Sequence, residues 1–241
     1  MSGRSIDADR FATAQKAEAE RWDRVAGDDE AVLHEIAEHS EILGPLERLF
    51  GERVFNRGLE VGIGPLGMGF LAPHFGHRVC CIDGLDPLPR VRLRLKDPNL
   101  AGRVEACRAR VRYIQACAEA MPLPSESYDI VSCVNVLDHA QCPISIMREI
   151  GRVLRRGGIL VFGVSVLSLA GKWAWRLRRR LAPDSFLFMA HPHVFRWDEA
   201  NSMLETIPGS TLWCDQPGFA ERLCGHGRMA FWIREKEEAE L

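Results

Sequence analysis

The segment Leu59-Glu60-Val61-Gly62-Ile63-Gly64-Pro65-Leu66-Gly67 runs from an apolar strand end into a glycine turn. Glycine accepts positive φ and lets a ligand lie against bare backbone. A helix after such a turn points unpaired N–H groups and the positive end of its dipole at that ligand. Glu60 stands two residues before the first glycine, where a carboxylate can accept from an ammonium group. Asp83 closes a second apolar run, Arg78-Val79-Cys80-Cys81-Ile82. It lies about 20 residues after the glycines, the spacing at which an acid takes the ribose hydroxyls in a nucleotide-type site. The chemistry these residues suit is capture of an adenosine-containing cofactor.

Gly62-x-Gly64-x-x-Gly67 also satisfies the dinucleotide fingerprint. An anion at Glu60 offers a pyrophosphate nothing, however, and Pro65 removes an N–H that a pyrophosphate would use. Both favour S-adenosylmethionine over a nicotinamide. For proton transfer the candidates are His139, after the fourth apolar run, and His191 and His193, further along. An imidazole near neutral pKa suits deprotonation of a hydroxyl. Structural roles for all three stay open. His191 and His193 have a spacing that two metal ligands can use, but no third ligand is evident in sequence, so no metal is expected.

Further blocks follow in order. Ala118-Glu119-Ala120-Met121-Pro122-Leu123-Pro124 precedes Tyr128-Asp129-Ile130-Val131-Ser132-Cys133-Val134-Asn135-Val136-Leu137-Asp138-His139. Then comes Arg148-Glu149-Ile150-Gly151-Arg152-Val153-Leu154-Arg155-Arg156-Gly157-Gly158-Ile159-Leu160. With the glycine turn, these four blocks resemble the class I S-adenosylmethionine-dependent methyltransferases of the small-molecule group, in register over residues 55 to 165. The resemblance implies a Rossmann-like α/β sheet, mostly parallel with an antiparallel edge strand, helices on both faces, and methyl transfer to a small-molecule or amphiphilic acceptor. It implies that Glu60 and the backbone of Gly62, Gly64 and Pro65 hold the amino-acid end of the cofactor. Asp83 and Gly84 would then meet the ribose, Ala118, Glu119 and Met121 would border the adenine, and Asn135 would face the methionine portion. Cys117 stands where many members have Asp, and Asp138 where the family has Glu. A methyltransferase-like protein without turnover and, more remotely, a nicotinamide oxidoreductase are the alternatives.

Composition agrees with a globular chain: 241 residues, 46% hydrophobic, 27% charged, net charge −2. That charge gives no general case for nucleic-acid binding. No apolar run reaches the roughly 20 residues that span a bilayer, and residues 1–10 lack a signal-peptide core, so the cytoplasm is the default. The eight cysteines include no C-x-x-C and no zinc spacing.

The elements that must position these residues alternate. Expected strands are 57–61, 78–82, 111–116, 128–135 and 159–164, with helices at 68–75, 103–112 and 144–154 and two further strands at 211–214 and 229–233. Such alternation argues for a parallel sheet between helices. Residues 1–50 read as a helical extension that could cap the substrate opening, and 51–241 as the methyltransferase domain. Arg103 to Arg112 reads as a helix with a solvated charged face. An insertion, 165–194, follows the fifth strand, where ligands of parallel folds bind. Within it Lys172 to Leu181 interleaves two tryptophans with five basic residues. The expectation is a substrate lid, with peripheral membrane contact through 172–189 as one use.

Overall fold

The computed structural model describes residues 5–225 and 227–238. The helices α1 (Ala8–Val25), α2 (Asp29–Ala37) and α3 (Leu43–Phe50) precede β1 (Phe55–Val61) and β2 (Val79–Asp86). After these come α4 (Pro98–Ala109), β3 (Val111–Gln115), β4 (Tyr128–Val134), α5 (Pro143–Val153) and β5 (Leu154–Val166). The insertion holds α6 (Leu169–Leu181) and α7 (Phe186–Ala190). The chain ends on α8 (Trp197–Leu204), β6 (Gly209–Cys214), α9 (Phe219–Cys224) and β7 (Arg228–Lys236).

The strands form one sheet in the order β3-β2-β1-β4-β5-β7-β6. β1 to β5 pair in parallel, and β7 runs antiparallel to both β5 and β6. This is the expected mixed sheet with helices on both faces. All seven residues of β4 are buried, as a central parallel strand covered on both sides requires. Side chains alternate between two cores: Val131 and Cys133 pack with Ile146, Met147 and Ile150 of α5, while Ile130 and Val134 pack with Leu71, Phe75, Ile42 and Leu46. The apolar residues of α5 recur at helical spacing, and Pro143 opens it where a missing N–H costs nothing.

Three expectations change. The helix expected at 68–75 is a single turn, Leu71–Phe75, because Gly67 and Gly69 hold positive φ and keep the chain in a loop as far as Phe70. The helix expected at 103–112 is α4, starting earlier at Pro98 behind an Asp97 cap and ending at Ala109, before Val111 enters β3. Its charges are not all solvated. Arg108 is buried and donates to the Val91 carbonyl, and Arg112 leaves the helix to bind an acid in the sheet. Finally, β2 runs to Asp86 rather than Ile82, which decides where the acid of the site lies.

At the N-terminus, α1 lies across the carboxyl ends of the strands. Arg10 donates through both terminal nitrogens to the carbonyls of Met189 and Phe188, clasping α1 to α7. No described helix is long and apolar enough to cross a membrane. All eight cysteines are free.

Candidate active site

The carboxyl ends of β1, β2 and β4 frame two adjoining cavities. The backbone N–H groups of Gly62 and Ile63 both donate to the Leu85 carbonyl (2.8 and 3.2 Å), which ties the glycine turn to the end of β2. Gly62 and Gly64 hold φ +69° and +72°. A Cβ at Gly62 would stand 2.4 Å from a Val136 methyl, and one at Gly64 would stand 3.1 Å from the Trp22 ring. The turn therefore requires glycine on conformational and steric grounds together.

The larger cavity, about 280 Å³, is lined by Gly62, Gly64, Asp86, Leu88, Ala118, Glu119 and Asn135 from the sheet side. Phe11, Gln15, Glu18, Arg21 and Trp22 of α1 line it from above, with Phe186, His139 and His191 at one end. The smaller, about 100 Å³, is lined by Glu60, Gly62, Gly64, Gly69 and Asn135. Trp22 and Glu35 reach both.

Glu60 is buried and accepts from the Leu71 N–H at 2.7 Å. Burial pushes its carboxyl up to about 7, only partly opposed by backbone hydrogen bonds. A buried acid in that state gains from a cation brought beside it.

Asp86 is the acid of β2 that lines the larger cavity. It accepts from Gly64 N–H on one oxygen and Leu88 N–H on the other, both at 2.9 Å. Each carboxylate oxygen keeps a lone pair for a further donor. Burial raises Asp86 to about 6 against those two hydrogen bonds.

Asp83 and Gly84 do not reach the cavities, which corrects their expected role at the ribose. Asp83 lies within β2, three residues before Asp86. Positions three apart on a strand face opposite ways. Arg112 sits opposite Asp83 on β3 and donates to both its oxygens at 2.7 Å, while the Tyr128 hydroxyl donates at 2.6 Å and Arg57 at 3.1 Å. Burial works to raise this carboxyl, but these partners hold it below its ordinary value. Gly84 serves packing: a Cβ there would stand 2.2 Å from Ile63 Cδ1.

Among the other expected cofactor residues, Ala118 and Glu119 line the larger cavity, and Glu119 also accepts from the N–H groups of Gln141 and Cys142. Met121 does not line it. Its side chain is in the core, and its N–H donates to Glu149 at 2.7 Å. Pro65 is buried behind the turn, its carbonyl accepting from Val91 N–H. Asn135 holds φ +58° and lines both cavities, with its N–H donating to the Gly163 carbonyl at 2.9 Å. Asparagine tolerates the left-handed region better than most residues, and such strain concentrates at working sites.

The three histidines separate. His139 and His191 line the larger cavity with ring centroids 4.4 Å apart and planes tilted by 49°, and Glu18 lies 3.5 Å from His139. Burial lowers the His191 pKa, and His139 beside it lowers it further. His193 turns away. It is buried, with its Nε2 3.0 Å from the Ala140 carbonyl and its ring stacked on Phe195. It braces the 138–140 turn and does not line the larger cavity.

Fold and site define a nucleotide-type α/β binding fold, and comparison with known proteins gives its class. Residues 59–162 match the family model described as a methyltransferase domain. The chain is similar to ubiquinone biosynthesis O-methyltransferase of Aliivibrio fischeri, at 29% identity over 149 residues, 60% of this chain and 57% of that protein. It is also similar to human thiol S-methyltransferase TMT1B, at 34% identity over 126 residues, 52% of this chain and 49% of that protein. The chain thus spans about half the length of the curated relatives it matches. The [4+2]-cyclase SpnF superposes at TM-score 0.63 and 16% identity, covering 99% of both chains, a likeness of fold. Over residues 59–162 the chain is thus similar to a methyltransferase domain.

Proposed function

We propose that this protein transfers the methyl group of S-adenosylmethionine to a small-molecule acceptor. The observation that carries this reading is Glu60, a buried acid raised to about 7 beside glycines of positive φ, one cavity away from the second acid, Asp86. Glu60 would receive the ammonium of the cofactor and Asp86 its ribose hydroxyls. Leu88, Ala118 and Glu119 would border the base. S-adenosylmethionine, when bound, supplies a methyl already activated by a sulfonium, so the protein's work is alignment and exclusion of water.

The acceptor enters beside His139 and His191, in the larger cavity. Glu18, His139 and His191 are the groups placed to receive its proton, and α1 with Phe186 closes the cavity over it. Residues 5–50 are therefore read as a cap. The 165–194 insertion contributes its second half, Phe186 and His191, to the cavity, and the basic helix α6 does not line it.

Peripheral membrane contact is carried by a different observation. Trp173, Leu177 and Leu181 recur along one side of α6 and are 65%, 59% and 77% exposed, with Arg178, Arg179 and Arg180 beside them. Trp175 packs inward on Phe188, and Lys172 pairs with Glu199. An exposed apolar row flanked by arginines suits an anionic lipid surface and an amphiphilic acceptor.

The test is calorimetric titration with S-adenosylmethionine and, separately, a nicotinamide dinucleotide, followed by detection of S-adenosylhomocysteine with phenol, thiol and amine acceptors. One-to-one binding of S-adenosylmethionine and turnover with one acceptor class are expected. Binding of the dinucleotide alone would overturn the reading, and binding without turnover on any class would favour a protein that only binds.

A further inference from the structure

Asp138, His139 and His191 come together although 53 residues separate the first from the last. His139 Nδ1 lies 3.1 Å from the Ala190 carbonyl, and His191 Nδ1 lies 2.9 Å from the Leu187 carbonyl. A carbonyl only accepts, so each Nδ1 carries the proton and each Nε2 presents a lone pair. Both lone pairs face one carboxylate: His139 Nε2 is 3.8 Å from Asp138 Oδ1, and His191 Nε2 is 3.7 Å from Asp138 Oδ2. Neither distance is a hydrogen bond. Asp138 is buried, and its Oδ1 has no hydrogen-bond partner. Three side chains able to act as Lewis bases thus converge on one point. Leaving a buried carboxylate in that condition is costly unless a cation completes it.

We propose that Asp138, His139 and His191 bind a divalent first-row transition ion at the acceptor end of the cavity. The donor atoms lie within 4.8 Å of one another. Bonds of about 2.1 Å need donors roughly 3.0–3.4 Å apart, so the widest pair must close by up to about 1.4–1.8 Å. Two imidazoles and one carboxylate suit zinc, iron or manganese rather than magnesium or calcium, which prefer all-oxygen sites. The two backbone carbonyls supply the outer hydrogen bonds that fix ring orientation in metal-binding histidines. His193 adds support by donating its backbone N–H to the Asp138 carbonyl at 3.2 Å.

The site stands on this geometry. The role given to it rests on the methyl-transfer reading. His191 lines the main cavity and also a neighbouring one of about 610 Å³ that Asp138 borders, so an ion here is open to an acceptor from either side. An acceptor hydroxyl or thiol bound to the ion ionises more readily. Its proton passes to Glu18, which lines the same cavity, and the oxygen or sulfur is left to attack the methyl group.

The probe is Co²⁺ added to the full-length, chelator-treated protein, followed by absorption spectroscopy and calorimetry, with S-adenosylmethionine titrated in parallel. The expected result is one-to-one binding without the charge-transfer band of a cysteine–cobalt bond. His191→Gln and Asp138→Asn should each weaken binding by about tenfold or more, with circular dichroism confirming that both variants are folded. Saturable binding that is unchanged in both folded variants would overturn the proposal. So would cysteine-type spectra or no binding by wild-type protein. Because the cofactor titration is independent, loss of the metal site leaves the methyltransferase reading standing.

Discussion

At the scale of single residues, burial makes the charged forms of Glu60 and Asp86 costly. The ordinary value for Glu60 is 4.5 and the folded value about 7. A raised folded pKa means the stabilising contribution is complete below pH 4.5 and is lost as pH rises through 7. The loss is on the order of 3 kcal/mol. Glu60→Gln should therefore flatten the fall in melting temperature between pH 5 and 8. It should weaken S-adenosylmethionine at pH 8 by about 1.5–3 kcal/mol, the range for a hydrogen bond to a charged group. In wild-type protein the affinity should rise with pH, with about half a proton released from Glu60 at pH 7. Melting curves and calorimetry in buffers of different ionisation enthalpy check both statements. A variant with unchanged affinity would remove Glu60 from the site. The glycine turn and Glu60 were legible in the sequence because glycine spacing reports backbone shape directly. The acid of β2 that lines the cavity stands three residues beyond Asp83. Cys81-Ile82-Asp83-Gly84-Leu85-Asp86-Pro87 offers two acids, and Pro87, which ends the strand, is the signal that favours Asp86. Arg112, read as solvated, gave no hint that it neutralises Asp83 across the sheet.

At the scale of elements, the central strands were legible because buried parallel strands read as continuous apolar runs. The part played by α1 was not. Its sequence is alanine- and charge-rich, and its contribution to the cavity depends on the clasp of Arg10 over α7, 178 residues away. The metal candidate was hidden for the same reason, since Asp138 and His139 meet His191 only when α7 folds back over β4's end. Arg10→Ala should release the first turns of α1, raising amide exchange there and at 186–190, while the sheet keeps its protection. Unchanged exchange in both segments would show that the clasp does not hold the cap.

At the scale of the molecule, a sheet open at its carboxyl edge is closed from one side by α1 and α7, and α6 extends its Trp173–Leu177–Leu181 row into solvent. Sedimentation with anionic vesicles at low salt should carry wild-type protein into the pellet. Replacing Arg178, Arg179 and Arg180 by Gln should weaken this by about 1 kcal/mol per charge. Wild-type protein that stays in the supernatant would remove the membrane role and leave the cavity chemistry untouched. The central claim is the cofactor site, and paired titrations of Asp86→Ala and Asp83→Ala with S-adenosylmethionine test it most directly. Asp86→Ala should lose about 1.5–3 kcal/mol of affinity, whereas Asp83→Ala should keep its affinity and melt several degrees lower. Loss of affinity in Asp83→Ala with none in Asp86→Ala, or no binding by wild-type protein, would contradict the account.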